Sequence, residues 1–389
     1  MKTVKYGIIG CGMMGQEHLR NIALLPDVEA TVIFEPDAEM RAAAAELAPK
    51  AKFVESEGDV LHDPDIDCLL VVSPNHEHLR QLECALDAPH RPILMEKPLF
   101  TQEDGAERIK QFAAQYSAPV WVAMEYRYMP PVAELIDNLD ASTGGTRMLT
   151  IREHRFPFLE KVGDWNRFNA NSGGTFVEKC CHFFDLMRLI LKSDPVRVMA
   201  SGGQAVNHLN ETYDGQVPDI WDHGYVIVDF ASGARAMLEL CMFAEGAEFQ
   251  EHIIATGPDG IIESLVPGPE RFWPTETLGP SPTPKLIVSP RNPKGPIEKE
   301  IPVDPTILAA GDHNGSTFYQ HQKFVDMVRN GGQPEVSLND GMWAVRMGQA
   351  AQESARTGQA IILQNDHKRT LLTKSENADI NAPSRLGGV

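Results

Sequence analysis

A lysine, a histidine and two carboxylates stand out in this chain by their types and spacing. Lys97 lies in Met95-Glu96-Lys97-Pro98-Leu99, directly after the short apolar run 93–95. A lysine at the carboxyl end of a parallel strand would face the ligand cleft of a doubly wound sheet. Partial desolvation would lower its pKa and let it exchange a proton with a substrate hydroxyl. A solvated lysine paired with Glu96 accounts for the same residues equally well. Pro98 would hold the lysine in place through a cis bond or a fixed turn. The second group is Glu178, His182 and Asp185, spaced i, i+4, i+7 within a strongly apolar stretch, 175–191. On a helix they would share one face. Burying them unpaired would cost several kcal/mol, so the stripe needs partners, water or a ligand cleft. For Asp185 the simpler reading is a rim pair with Arg188 at i+3.

A third group could bind a nucleotide. Gly10-Cys11-Gly12-Met13-Met14-Gly15 fits G-x-G-x-x-G, follows an apolar run (4–9) and opens a helix-compatible stretch (16–25). The pattern is weak alone, but the next apolar run (30–34) leads directly to Glu35, at the expected distance from Gly15. Gly10 permits the tight turn, Gly12 lets a pyrophosphate approach the backbone, and Gly15 lets helix and strand pack closely. The helix N-terminus around Met13 and Met14 then offers free N–H groups to the phosphates. Glu35 would accept hydrogen bonds from the adenosine ribose and repel a 2′-phosphate, which favours NAD over NADP. Two strand-end segments would line the same cleft. Val72-Ser73-Pro74-Asn75-His76-Glu77-His78 contributes Ser73, Asn75 and His78 as candidate cofactor contacts, and Glu96 and Lys97 come from the other.

The elements that must position these groups can be read from the apolar rhythm. Runs at 4–9, 30–34, 68–72, 93–95 and 119–124 are strand candidates, separated by helix-compatible stretches at 16–25, 39–47, 77–86 and 102–116. Apolar runs of this kind belong to a parallel sheet covered on both faces, wound by right-handed crossovers into a Rossmann layer. After residue 124 the rhythm changes. A helix near 131–139 and an extended run at 148–154 precede the apolar stretch 175–191. Strand candidates at 225–230, 234–243 and 251–255 follow, with turn residues Ser232-Gly233 and Pro258-Asp259-Gly260 between them. This predicts an α+β domain with a large, mainly antiparallel sheet. Residues 256–306 hold 12 of the 28 prolines and are expected to be loops and interrupted edge strands. Helices are predicted at 315–329 and 338–357, with a last strand at 360–363. The expected division is therefore an NAD-binding domain (1–124), a substrate-binding and oligomerisation domain (125–365) and a polar tail (366–389).

Composition excludes several classes. The 389 residues are 42% hydrophobic and carry a formal net charge of −19, so a polyanion such as DNA would be repelled on average. No apolar run approaches the length needed to cross a bilayer, and no membrane partner is expected. Met1-Lys2-Thr3-Val4-Lys5 leads straight into a strand, so a cleavable signal peptide is not expected. The six cysteines lack paired C-x-x-C spacing and read as reduced, buried thiols; a Cys180–Cys181 disulfide is not expected. No metal site is expected, since the histidines scatter. The chain reads as a cytoplasmic protein.

The G-x-G-x-x-G, the S-P-N-x-x-H and the E-K-P in this order make the chain resemble the Gfo/Idh/MocA family of glucose–fructose oxidoreductase and inositol dehydrogenase. Ala123-Met124-Glu125-Tyr126-Arg127-Tyr128-Met129-Pro130 is similar to the family's arginine-containing junction segment. Residues 324–331, Leu338-Asn339-Asp340-Gly341 and 353–358 are similar to its closing helices. The resemblance implies a nicotinamide-dependent oxidoreductase, with Lys97 and His182 at the positions of the family's proton-transferring lysine and histidine. Glu178 stands where an Asp is usual, Ser172 and Cys180 replace glycines, and the extra methylene of Glu178 would move its carboxylate by about an ångström, enough to matter in catalysis. The implied chemistry is hydride transfer between a secondary alcohol of a cyclitol or sugar-like substrate and nicotinamide, with Glu178 orienting the imidazole. Arg127, Arg155, Trp165, Arg167 and the Trp221-Asp222-His223 turn could complete a polyol pocket. Redox-assisted glycosidic cleavage and a non-catalytic nucleotide-binding regulator remain as alternative readings of the same fold. A homodimer or homotetramer through the open face of the second sheet is expected.

Overall fold

A computed structural model describes residues 2–364 and 369–371 of the chain. The first half alternates β1 (Val4–Ile9), α1 (Met13–Ile22), β2 (Val28–Phe34), α2 (Ala38–Leu47), β3 (Lys52–Val54), α3 (Glu57–Leu61), β4 (Cys68–Val71), α4 (His78–Cys84), β5 (Ile93–Met95), α5 (Gly105–Ala113) and β6 (Val120–Val122). The six strands pair in parallel in the order β3-β2-β1-β4-β5-β6, a Rossmann sheet. Every residue of β4, β5 and β6 is buried, as expected for strands covered on both faces. β3 and α3 escape sequence reading because each is short and neither shows a full hydrophobic period.

The second half contains α6 (Pro130–Thr143), β7 (Met148–His154), α7 (Asn169–Ser172), α8 (Thr175–Glu178), α9 (Cys181–Leu191), β8 (Pro195–Gly203), β9 (His223–Phe230), β10 (Arg235–Cys241), β11 (Glu251–Thr256) and β12 (Gly260–Val266). It closes with α10 (Thr275–Leu278), β13 (Lys285–Pro290), β14 (Ile297–Glu300), α11 (Pro305–Leu308), α12 (Ser316–Asn330), α13 (Leu338–Thr357), β15 (Ile361–Leu363) and β16 (Arg369–Leu371). Ten strands form one mixed sheet in the order β14-β13-β12-β11-β7-β10-β9-β8-β15-β16. Only β7 and β10 pair in parallel. β7, β10, β11 and β12 alternate buried and part-exposed residues, so one face packs on helices and the other is open. Among the described residues no helix is long and apolar enough to cross a membrane.

Three expectations need correction. The proline-rich stretch 256–306 is not loops and edges alone: β12 is a full inner strand between β11 and β13, and prolines 267–284 fall in the connection that follows. The predicted helix 175–191 is broken. The amides of Lys179 and Cys180 both reach the Thr175 carbonyl (3.0 and 3.4 Å), and α9 starts afresh with Phe183 and Phe184 donating to Cys180. The break turns Lys179 inward between Glu178 and His182. Gly348 of α13 positions this segment, since a Cβ there would lie 2.4 Å from the Phe176 carbonyl oxygen. The helices near the C-terminus also touch the first half: α12 packs on α1, and the Val122 amide donates to the Val336 carbonyl. Finally, the expected polar tail includes Arg369–Leu371, which pairs antiparallel with β15; its other residues lie outside the described ones.

Candidate active site

The glycine turn has the geometry a pyrophosphate needs. Gly10 sits at φ +88°, and a Cβ there would meet the Ser73 backbone at 2.8 Å. A Cβ on Gly15 would meet the Gly10 carbonyl oxygen at 2.9 Å, whereas nothing lies within 4 Å of the same position on Gly12. The open side of Gly12 is therefore the approach to the uncapped N-terminus of α1. Glu35, buried, lies across this turn and accepts from the Cys11 amide (2.5 Å) and the Asp37 amide (2.8 Å). The donors and the acid that a dinucleotide needs are thus all present.

A cavity of about 1300 Å³ opens beside this turn, between α1 and the second sheet. Met13, Met14, Lys97, Glu178 and His182 line it, together with Arg155 and Arg167. The two halves of the chain meet here at Lys97, which precedes a cis Lys97–Pro98 bond and whose ammonium donates to the Glu178 carbonyl (3.2 Å). Burial alone would depress the Lys97 pKa. The acidic groups around it, Cys181, Glu96, Glu125 and Glu178, more than offset burial and raise it. The expected fall is therefore overturned, and the Lys97 side chain is an ammonium at neutral pH.

His182 is the complementary group. Its ring stacks on Tyr126 at 4.2 Å and 9°, and Nε2 lies 3.6 Å from Glu125 Oε1. Nδ1 has no hydrogen-bond partner among the described residues. Burial, reinforced by Lys97, Lys179, His313 and Arg155, keeps its pKa well below the usual range, so the imidazole is neutral. Burial raises the pKa of Glu178, whose Oε2 is also unpartnered. The carboxylate beside the imidazole is Glu125, not Glu178; burial and Glu96 push the Glu125 carboxyl up to about 7.

Several of the expected cofactor contacts also support the site. Glu96 accepts from His18 Nε2 (3.0 Å), His18 Nδ1 meets His321 Nε2 (2.7 Å), and His321 Nδ1 meets the Tyr6 hydroxyl (3.1 Å). One proton arrangement satisfies the whole chain, with Tyr6 donating to His321, His321 to His18 and His18 to an ionised Glu96. Glu96 also accepts the Lys97 amide (3.1 Å), so it anchors the lysine's backbone from below the cleft. His78 is fully buried, its nitrogens 2.7 and 2.9 Å from the carbonyl oxygens of Pro98 and Ser73; it clamps the two strand-end loops together. Ser73 donates to Gln81, and Asn75 donates to the Ser172 carbonyl (3.1 Å), tying its loop to the turn before α8.

Arg127 is not on the cavity. Its guanidinium makes a bidentate pair with Asp185 (both 2.5 Å), and Arg188 turns instead to Asp194 and Asp340. Helix periodicity suggested Arg188 as the partner because it ignores the segment packed across the helix. Trp165 stands edge-on to His76 at 6.2 Å beside the cleft, outside its lining. Trp221 packs on Phe176, and Asp222 caps the amides of residues 205–207 and pairs with His223. Sequence reading missed Glu125, Tyr126, Lys161, Lys179 and His313. The first two flank Arg127 in the junction segment and Lys179 adjoins Glu178, whereas no local signal marks Lys161 or His313. His313 is fastened to Glu17 of α1 (2.8 Å); although burial opposes both charges, the pair holds His313 at about 9 and Glu17 at about 2.

The profile "Oxidoreductase family, NAD-binding Rossmann fold" matches residues 4–124, and "Oxidoreductase family, C-terminal alpha/beta domain" matches residues 143–363. The rhizopine catabolism protein MocA of Rhizobium meliloti is 25% identical over 277 residues, covering 71% of this chain and 81% of that protein. Inositol 2-dehydrogenase 3 of Saccharopolyspora erythraea is 25% identical over 272 residues, covering 69% and 75%. A structure of levoglucosan dehydrogenase with NADH and levoglucosan superposes with a TM-score of 0.75 at 20% identity, covering 93% of this chain and 99% of that one. Two adjoining profiles spanning most of the sequence, on a fold and a glycine turn that answer to both, make this chain a member of the Gfo/Idh/MocA oxidoreductase family.

Proposed function

We propose that the protein is an NAD-dependent dehydrogenase acting on a secondary alcohol of a cyclitol or sugar-like molecule. The observation that carries this reading is the meeting of Lys97, from the nucleotide-binding half, with Glu178 and His182, from the other half, on one cavity beside the glycine turn. NAD bound along that turn would supply the hydride acceptor. In the oxidative direction the Lys97 ammonium holds the substrate oxygen, and the neutral His182 takes the hydroxyl proton at its free nitrogen. Glu178, with an unpartnered carboxylate oxygen, accepts from a neighbouring hydroxyl. Glu125 stabilises the imidazolium that results. In the reverse direction the same groups return the proton. The test is NADH formation from a panel of inositols, pyranoses and anhydrosugars; a panel that reduces no NAD while the protein binds it defeats the proposal.

NAD is preferred over NADP in this reading because Glu35 would face a 2′-phosphate with like charge. Glu35→Ser is expected to shift the NAD/NADP ratio of kcat/KM toward NADP by at least about tenfold, equivalent to about 1.4 kcal/mol. An unchanged ratio would remove Glu35 from cofactor selection. The proposal also places the protein in the cytoplasm, which suits six free cysteines. It assigns the open face of the second sheet to another copy of the chain: Tyr225 and Ile227 are 54% and 43% exposed there, and Ile227 lies in register with Met237.

A further inference from the structure

We infer that the substrate carries a carboxylate near the carbinol that reacts, and that Lys161 is the residue that receives it. The inference rests on the dehydrogenase reading and narrows its substrate class. Five cationic side chains, Lys97, Arg155, Lys161, Arg167 and Lys179, line the substrate half of the cavity against two carboxylates, Glu160 and Glu178, in a chain whose net charge is −19. Lysine and arginine are donors without acceptor atoms, whereas each hydroxyl of a neutral polyol brings a donor of its own that such a wall leaves unmatched. A wall so rich in donors matches a ligand group that only accepts, which a carboxylate does with about four lone-pair sites.

Most of these cations already have protein partners. Lys179 lies 2.8 Å from Glu153 and 2.5 Å from the Tyr126 hydroxyl, Arg155 lies 3.7 Å from Glu153, and Arg167 lies 3.2 Å from Glu211. Lys97 donates to a backbone carbonyl. The Lys161 ammonium alone of the five side chains has no hydrogen bond or ion pair among the described residues; it stands 6.0 Å from the Trp165 ring. Burial holds that ammonium below its usual pKa, and Glu178 offsets this only in part. A bound carboxylate would supply the missing partner. It would sit on the loop that carries Arg155 and Arg167, leaving the Glu178 carboxylate for a substrate hydroxyl.

The test compares D-glucuronate and D-gluconate with D-glucose and myo-inositol, using the full-length protein saturated with NAD. Turnover is followed by NADH formation and binding by calorimetry, for wild type, Lys161→Met and Lys161→Arg. The expected result is a kcat/KM for one of the acids at least about tenfold above both neutral compounds. That selectivity should fall at least about tenfold in Lys161→Met and return in Lys161→Arg. Wild type that prefers a neutral compound overturns the inference and leaves the dehydrogenase reading standing. So does an equal loss for acids and neutral compounds in Lys161→Met. Acid that binds in a Lys161-dependent way, with no NADH formed from any of the four compounds, keeps the anion site and overturns the dehydrogenase reading. Neither binding nor turnover of any acid overturns the inference.

Discussion

Lys97→Met and His182→Ala are each expected to lower kcat by about 10²–10⁴-fold, the range associated with losing a positioned proton-transfer group. Both residues face one cavity, and the surroundings drive them to opposite protonation states. Acidic neighbours keep Lys97 charged despite burial, while burial and neighbouring cations keep His182 neutral. A donor and an acceptor are thereby available for one hydroxyl at neutral pH. Neither side chain belongs to the glycine turn or to Glu35, so the Kd for NAD should stay within about twofold in both variants, a change well under 1 kcal/mol. Lys97→Arg separates charge from geometry: it retains the cation but replaces a compact ammonium with a planar fork, and should recover only part of the lost rate. Steady-state rates with calorimetric NAD binding check the prediction. Near-normal kcat in both variants would disprove the proton-transfer assignment.

The second large effect concerns stability. Arg127→Met is expected to destabilise the fold by about 3–5 kcal/mol, because it strands the Asp185 carboxylate, 0% exposed, in the interior. The bidentate pair joins the junction segment after β6 to α9, and Arg127 also donates to the Glu335 carbonyl before α13 (3.0 Å). The double change Arg127→Met with Asp185→Leu should recover much of the loss, since a buried ion pair replaced on both sides is often nearly neutral. Urea denaturation of the wild type and three variants gives the coupling directly. If Arg127→Met lost less than about 1 kcal/mol, the pair would be incidental.

Much of this arrangement was legible in the sequence, for identifiable reasons. The parallel strands of the first half could be read because burial on both faces makes them continuously apolar, as in Cys68–Val71. The glycine turn and Glu35 could be read because a tight βα turn constrains residue types at fixed spacing. Lys97 and His182 carry family motifs, so their positions were available, but their protonation states were not. The rise at Lys97 depends on Cys181 as well as Glu96, Glu125 and Glu178, and Cys181 and Glu178 come close only when the two halves meet. The same limit explains Arg127, assigned to substrate from its segment, whose partner lies on α9, beyond the break at Lys179 and Cys180. It also explains the Tyr6–His321–His18–Glu96 chain, whose members are polar residues scattered along the sequence until α12 packs on α1.

The central claim is hydride transfer from a carbinol held by Lys97 and His182. Its most direct test uses the best substrate of the panel, deuterated at the carbon bearing the reacting hydroxyl, with the purified protein and NAD. The expected result is NADH labelled at nicotinamide C4 and a slower rate than with unlabelled substrate. Product that forms without NADH, or NADH that carries no deuterium, would contradict it.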